Sequence, residues 1–334
     1  MIKYFKTHIL ATGLGLVALC SLTSCANFGV GNNVDFKGPI TVPQEFIYTS
    51  STPKKSFERE QALVVNATLS MDSDKRSIDE KAELFYALGT VYDDLGLEGM
   101  ARYMMMNAIV QRPGFARPYE LLGIYFFQDG RVADACDALA SAIELDDPEN
   151  RSYFPYLNRA FIMYYTGRYN LALEDMREFY DDNPFDPYRL LSMYIVEREA
   201  IGEKQAHDNL KRNFDKLLSA HKEEQFGHDV VRFYLGKISE KDLMDKILQV
   251  RDDEAAFQDR LCEGYYYLGK KALFDGNDKL GYDYFSLCRN TRKYNFLEYR
   301  NALNEQKVLL KKYNLDELTE EDEIQMLDFL WQIL

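Results

Sequence analysis

The sequence predicts an all-α protein: a solenoid of antiparallel helical hairpins, with an irregular helical insert and a further hairpin-like unit behind it. Three observations predict this. A set of small, aromatic and glycine positions recurs with a 34-residue period from Ala82 onward. Apolar residues keep helical spacing beyond those repeats, as far as residue 312. The 334-residue chain, 46% apolar and 14% aromatic, is long enough to bury a core, and it carries only 9 prolines to interrupt helices.

The elements follow in chain order. Residues 1–24 read as an export signal. Lys3, Lys6 and His8 precede an apolar run over 9–19, too short to persist as a membrane span. Leu22-Thr23-Ser24-Cys25 resembles a bacterial lipobox, which predicts acylation of Cys25; cleavage as an ordinary signal peptide is the alternative. Ala26 follows the cysteine where an aspartate would favour inner-membrane retention. The expected location is therefore the periplasmic face of the outer membrane, reached through the lipid. Residues 25–55, with Gly29, Gly31, Gly38, Pro39, Pro43 and Pro53 among polar residues, read as a flexible tether. Over 56–81, Phe57, Val64, Ala67 and Met71 mark one face of a helix that either caps the first hairpin or pairs with another subunit.

Residues 82–186 hold three hairpins. The first shows Phe85, Leu88, Gly89, Tyr92, Gly96, Ala101, Ala108 and Pro113. The second repeats these slots with Tyr119, Leu122, Gly123, Phe126, Gly130, Ala135 and Ala142. The third, after a three-residue insertion near Pro148, has Tyr156, Ala160, Met163, Gly167, Ala172 and Pro184. This is the tetratricopeptide (TPR) pattern. Small residues let two helices approach, and the glycine at the fifteenth slot suits the turn between them. Slots 2, 5, 9 and 12 of each first helix face the concave groove in this architecture. Here they are Glu83, Tyr86, Thr90 and Asp93; Arg117, Glu120, Ile124 and Phe127; Phe154, Leu157, Phe161 and Tyr164. Apart from Arg117 the set lacks the basic residues of a carboxylate clamp, so an extended apolar or mixed segment is the expected guest. The competing reading packs the last four residues on a following helix.

Residues 187–260 lose the period and read as four helices, over 188–201, 203–221, 226–235 and 239–250, punctuated by Gly202, Gly227 and Gly236. Residues 261–312 return to the pattern with Tyr265, Leu268, Gly269, Gly276, Gly281 and Phe285, followed by a helix over 292–312. Residues 313–334 form an acidic stretch and then an apolar one, in which Ile324, Leu327, Trp331 and Leu334 share a helical face. That face is either docked on the solenoid or open to a partner.

Function classes narrow by exclusion. A formal charge of −14 lacks the basic excess that nucleic-acid binding requires. No H-E-x-x-H, G-x-S-x-G, phosphate-cradling glycine loop or paired C-x-x-C is present, so neither catalysis nor a metal or other cofactor is expected. His207, His221 and His228 lie in the insert, and capping or solvated roles outweigh a metal pair. Cys136 and Cys288 read as buried small hydrophobes, while a Cys262–Cys288 bridge stays open.

Several non-consensus stretches carry a closer resemblance: Leu88-Gly89-Thr90-Val91-Tyr92-Asp93-Asp94-Leu95-Gly96-Leu97, Leu122-Gly123-Ile124-Tyr125, Phe179-Tyr180-Asp181-Asp182-Asn183-Pro184-Phe185-Asp186-Pro187, and Val231-Arg232-Phe233-Tyr234-Leu235-Gly236-Lys237-Ile238-Ser239-Glu240. Over about 84–304 the chain resembles the NlpI family of outer-membrane TPR lipoproteins. That resemblance implies a homodimeric, non-catalytic adaptor. Its partners would be a tail-specific periplasmic protease (Prc-like), a murein endopeptidase (MepS-like) presented to that protease, and other peptidoglycan enzymes. A structural hub that organises such enzymes without affecting proteolysis is the alternative.

Overall fold

The computed structural model describes residues 76–220 and 223–313, together with positions 43, 46–48, 60, 63 and 64. The signal segment, Cys25, most of 56–75, His221 and the 314–334 tail lie outside the described residues. Thirteen α-helices are present among the described residues, with no strand.

The helices pair as the periodicity requires. α1 (Ile78–Asp94) packs on α2 (Glu98–Gln111), α3 (Ala116–Gln128) on α4 (Val132–Glu144), and α5 (Phe154–Tyr165) on α6 (Tyr169–Asp182). α1 begins ahead of Ala82 because Ser77 caps it. The Ser77 hydroxyl accepts from the Glu80 backbone N–H at 3.2 Å, and the Glu80 carboxylate accepts from the Ser77 N–H at 2.8 Å. Each hairpin turns at its fifteenth slot through the same Schellman geometry. Gly96, Gly130 and Gly167 take φ between +71° and +76°, and the following N–H returns to a carbonyl five residues back at 2.8 Å, as Leu97 does to Tyr92.

The insert is more regular than its sequence suggests. α7 (Pro187–Ile201) starts at a strong stop signal, with the Asp186 carboxylate accepting from the Tyr188 N–H at 2.8 Å and Pro187 in the first turn. It pairs with α8 (Glu203–Ser219), which ends two residues short of the expected 221. α9 (Phe226–Tyr234) and α10 (Glu240–Leu248) are short, yet they join through the repeat-type turn: Gly236 has φ +67° and the Lys237 N–H returns to Arg232 at 2.8 Å. The nine-residue helices break the 34-residue phase but leave the turn chemistry intact. His228 caps its own helix, its Nδ1 accepting from the Gln225 N–H at 3.0 Å.

α11 (Glu254–Phe274) and α12 (Asp278–Asn290) form the expected last hairpin, turning at Gly276. The last described helix, α13 (Leu297–Lys312), starts five residues later than its sequence spacing predicts. Arg292 adopts a left-handed φ of 57°, and the chain stays non-helical until Phe296. One continuous core runs from Leu157 in α5 to Leu309 in α13, rich in buried tyrosines such as Tyr194, Tyr234, Tyr265, Tyr266 and Tyr267. The first two hairpins hold smaller separate clusters around Ala82, Met105 and Leu139.

The expected tether is pinned at one described point. The Ile47 N–H donates to the Tyr265 hydroxyl at 2.6 Å, and that hydroxyl donates back to the Ile47 carbonyl at 3.1 Å. A free spacer would leave both backbone groups to water; here α11 satisfies them.

Candidate functional site: the concave face and the helix that crosses it

α1, α3 and α5 line the concave face of the hairpins, and α13 runs across it. Tyr294, just before α13, lies against the turn at Gly96: a Cβ built there would come within 2.7 Å of its ring. Arg300 in the first turns of α13 pairs with Asp93 of α1, and the Tyr125 hydroxyl donates to the same aspartate at 2.6 Å. Further along, Tyr165 of α5 donates to the Glu305 carboxylate at 3.1 Å, and the Lys307 ammonium donates to the Gln128 carbonyl at 2.6 Å. Lys270 and Glu305 form an ion pair at 2.7 Å with both side chains almost fully buried. Burial opposes the lysine charge, but Glu305 and the Tyr164 hydroxyl outweigh it and hold Lys270 above the usual lysine range.

This crossing divides the sequence-expected groove residues. Leu157 and Phe161 are each 3% exposed and offer almost no surface to a guest. Phe127 stacks on Tyr165 with ring centroids 6.0 Å apart, and the Tyr164 hydroxyl accepts from Lys270 at 3.0 Å. Phe127, Phe161 and Tyr164 are occupied by the protein's own packing, with α13 and α11 filling the groove beside them, while Leu157 keeps only an edge toward an opening. Glu83 is held by Arg112, at 2.7 Å, and by Arg117. Burial works against its charge, yet the two guanidinium groups keep its carboxyl below the usual range. The Thr90 hydroxyl donates to the Ala87 carbonyl at 2.8 Å.

What stays open is a cleft of about 390 Å³ beside the start of α13. Glu120, Ile124, Phe154 and Leu157 line it from the repeats; Asp186, Tyr188, Arg189 and Ser192 come from α7 and its cap, Glu263 from α11, and Phe296, Glu298 and Arg300 from the α13 side. A shallower recess adjoins it, bordered by Tyr86, Thr90, Asp93, Arg117, Glu120 and Ile124. Eight of the twelve expected residues thus border the two openings. Phe154 is the most accessible apolar one, 53% exposed, with its other side tilted against Phe179.

The cleft's carboxyls are unusual. Burial pushes Glu120 up to about 7, although Arg300 and the Asn158 amide, donating at 2.9 Å, favour its charged form. Burial, and then the nearby Glu298 charge, push Glu263 up; the Tyr188 hydroxyl donates to it at 2.5 Å. Glu298 is likewise pushed up by burial. The cleft thus sets carboxyls whose charge is disfavoured by burial beside two guanidinium groups, Arg189 and Arg300, against aromatic walls. Such a lining suits the carbonyl-rich backbone and apolar side chains of an extended peptide. Its lining contains neither histidine nor cysteine. Tyr188, Glu298 and Arg300 escaped the sequence reading, since each comes from a helix outside the repeats; Glu263 stands at the second, groove-facing slot of the degenerate last hairpin, where the groove set was read only from the first three.

A second accessible surface lies on the outward side of the first hairpin. Met100, Tyr103, Met106 and Val110 of α2 are between 45% and 74% exposed and follow one helical stripe, with Leu97 at its start.

No protein-family model matches the chain. Among solved structures, it is similar to MamA, at 20% identity over 53% of this chain and 100% of that one, with a TM-score of 0.42. It is similar to PilF of Pseudomonas aeruginosa at 17% identity, over 67% of this chain and 97% of that one, with a TM-score of 0.40. A TPR repeat-containing protein of Cytophaga hutchinsonii shares 13% identity over 70% of this chain and 94% of that one, with a TM-score of 0.39.

Proposed function

We propose that this protein is a non-catalytic adaptor that brings two other proteins together on one body. The observation that carries the reading is the pair of separate accessible faces: a cleft suited to an extended segment, and the apolar stripe on the outward side of α2. Holding two partners on one scaffold replaces their bimolecular encounter with an intramolecular one and raises the effective concentration of each for the other.

The finer reading rests on the resemblance to the NlpI family. In it, the protein is a Cys25-acylated, homodimeric outer-membrane lipoprotein facing the periplasm. It binds a Prc-like tail-specific protease and presents a MepS-like murein endopeptidase to it, so restraining cell-wall hydrolysis. Three of the four resembling stretches fall at the first hairpin turn, at the junction of α6 with α7, and at the turn between α9 and α10; the fourth, 122–125, lies within α3.

The test is a degradation time course of the endopeptidase by the protease, with and without the full chain. Acceleration is expected. Phe154→Ala with Ile124→Ala, in the cleft, and Met106→Ser with Val110→Ser, on α2, should each weaken it several-fold at unchanged helicity. Equal rates at saturating adaptor would overturn the adaptor reading and leave the structural hub as the better account.

A further inference from the structure

We propose that Cys262 and Cys288 form an intramolecular disulfide that staples α11 to α12. Their Sγ atoms lie 3.6 Å apart, and both residues are wholly buried. The two helices are antiparallel neighbours around the Gly276 turn, so the sulfurs face each other across the hairpin rather than along one helix.

The repeat register explains why they meet. Counted from the pattern of 261–312, Cys262 occupies the first slot and Cys288 the twenty-seventh. In the first hairpin those slots hold Ala82 and Ala108, both fully buried and members of one small cluster. In the second they hold Ala116 and Ala142, again buried. In these two hairpins the slots mark a close approach between paired helices through small side chains, whereas the third hairpin fills them with Tyr153 and Phe179. The last hairpin places a thiol at both slots. From sulfur contact, a bond length of about 2.05 Å needs a further approach of roughly 1.5 Å, within the range of side-chain rotation and a slight helix adjustment.

The bond forms by thiol–disulfide exchange with a small-molecule or protein disulfide as oxidant. One cysteine, as thiolate, attacks the oxidant, makes a mixed disulfide and releases one thiol. The second cysteine attacks the mixed disulfide's cysteine sulfur, closes the Cys262–Cys288 bond and releases the second thiol. Two electrons pass from the pair to the oxidant, and the two protons leave with the released thiols. Burial sets the order of events: exchange takes place before α11 and α12 close on each other, and the finished bond is shielded from reductants in the folded body. The bridge sits one residue from Glu263 of the cleft. The Cys288 thiol, 3.6 Å from the Glu298 carbonyl, also abuts the first turn of α13. The inference is independent of the partners proposed above.

The experiment unfolds the full chain in denaturant with reductant and refolds it in a mixture of reduced and oxidised glutathione. Free thiols are then alkylated under denaturing conditions and the peptides mapped by mass spectrometry. The expected result is a linked peptide pair containing Cys262 and Cys288, lighter by two hydrogens and split by reductant, with Cys136 alkylated. Cys262→Ala with Cys288→Ala, which places there the alanines of the first two hairpins, should fold with unchanged helicity and melt several degrees lower than the oxidised chain. Separate alkylation of Cys262 and Cys288 after oxidative refolding would overturn the proposal. So would a glutathione adduct on either residue, or a melting temperature that does not differ between the oxidised chain and the double variant.

Discussion

The first two hairpins and the body behind them are built from the same helix–turn–helix unit but are stabilised differently. In α1–α4 the turns and small-residue slots repeat faithfully, yet the buried residues fall into small clusters, and one side of α2 carries large apolar residues into solvent. From α5 to α13 the repeat is imperfect, helices vary in length, and a single core links all of them. Regular repetition lets each unit bury surface only against its neighbours. Irregularity lets α13 turn back and reach α1, α3, α5, α11 and α12. The difference teaches where the molecule is committed: the body to its own cohesion, the leading hairpins to surfaces still available.

The sharpest way to break this comparison is to attack the most deeply buried ion pair among the described residues. Lys270→Met leaves Glu305 buried without its ammonium partner and should cost about 3–5 kcal/mol, measured by urea unfolding, while Lys270→Met with Glu305→Leu should recover most of the loss. A core contribution confined to one hairpin would instead leave the bulk transition unmoved.

Next come equivalent truncations in the two regions. Met105→Ala and Leu191→Ala each open a cavity at a fully buried site and should cost about 2–5 kcal/mol locally. Hydrogen exchange distinguishes them. Met105→Ala should lose protection mainly in α1–α4, whereas Leu191→Ala should lose it across α5–α13 together. Identical protection maps would show that the two regions unfold as one unit.

The smallest effect is a pH dependence belonging to the cleft. Glu120, at about 7, and Glu263 and Glu298, raised by burial, hold protons in the folded body after the unfolded chain, near 4.5, has lost them. Their contribution is therefore complete below pH 4.5 and is lost as pH rises through about 7 to 8. The melting temperature should fall by about 2–4 °C between pH 5 and 8, and Glu298→Gln should flatten that slope. A slope unchanged by Glu298→Gln would remove this carboxyl from the account.

The same contrast decides what could be read from the amino acids. Gly96, Gly130 and Gly167 announce their turns, because a left-handed turn residue recurring at one slot is a local requirement of the backbone. Gly236 makes the same turn and reads as a break between two helices but not as a repeat turn, since α9 and α10 are too short to keep the period. The partition of the groove was legible only as an alternative: the sequence allows Phe154, Leu157, Phe161 and Tyr164 to pack on a following helix, but it does not say which helix or which of the four. Arg300 meets Asp93 across 207 residues, and Tyr165 meets Glu305 across 140. Pairings at such separation leave no periodic trace. Phe161 and Tyr164 accordingly read as groove residues by slot, although α13 and α11 supply their neighbours. Glu263 and Glu298 look like ordinary carboxylates until the fold buries them beside each other.

The contact between Tyr294 and the turn at Gly96 also bears on how such a chain can change over time. An open solenoid tolerates gain or loss of a repeat, because each end is free and only one interface must be rebuilt. Here α13 returns to the first hairpin, fastened by Tyr294 at Gly96 and by Arg300 at Asp93. Adding or deleting a hairpin between them would change the span that α13 has to bridge and unseat both fastenings at once. The number of repeats is thereby fixed by the clasp, and variation is directed into side chains and loops rather than into length.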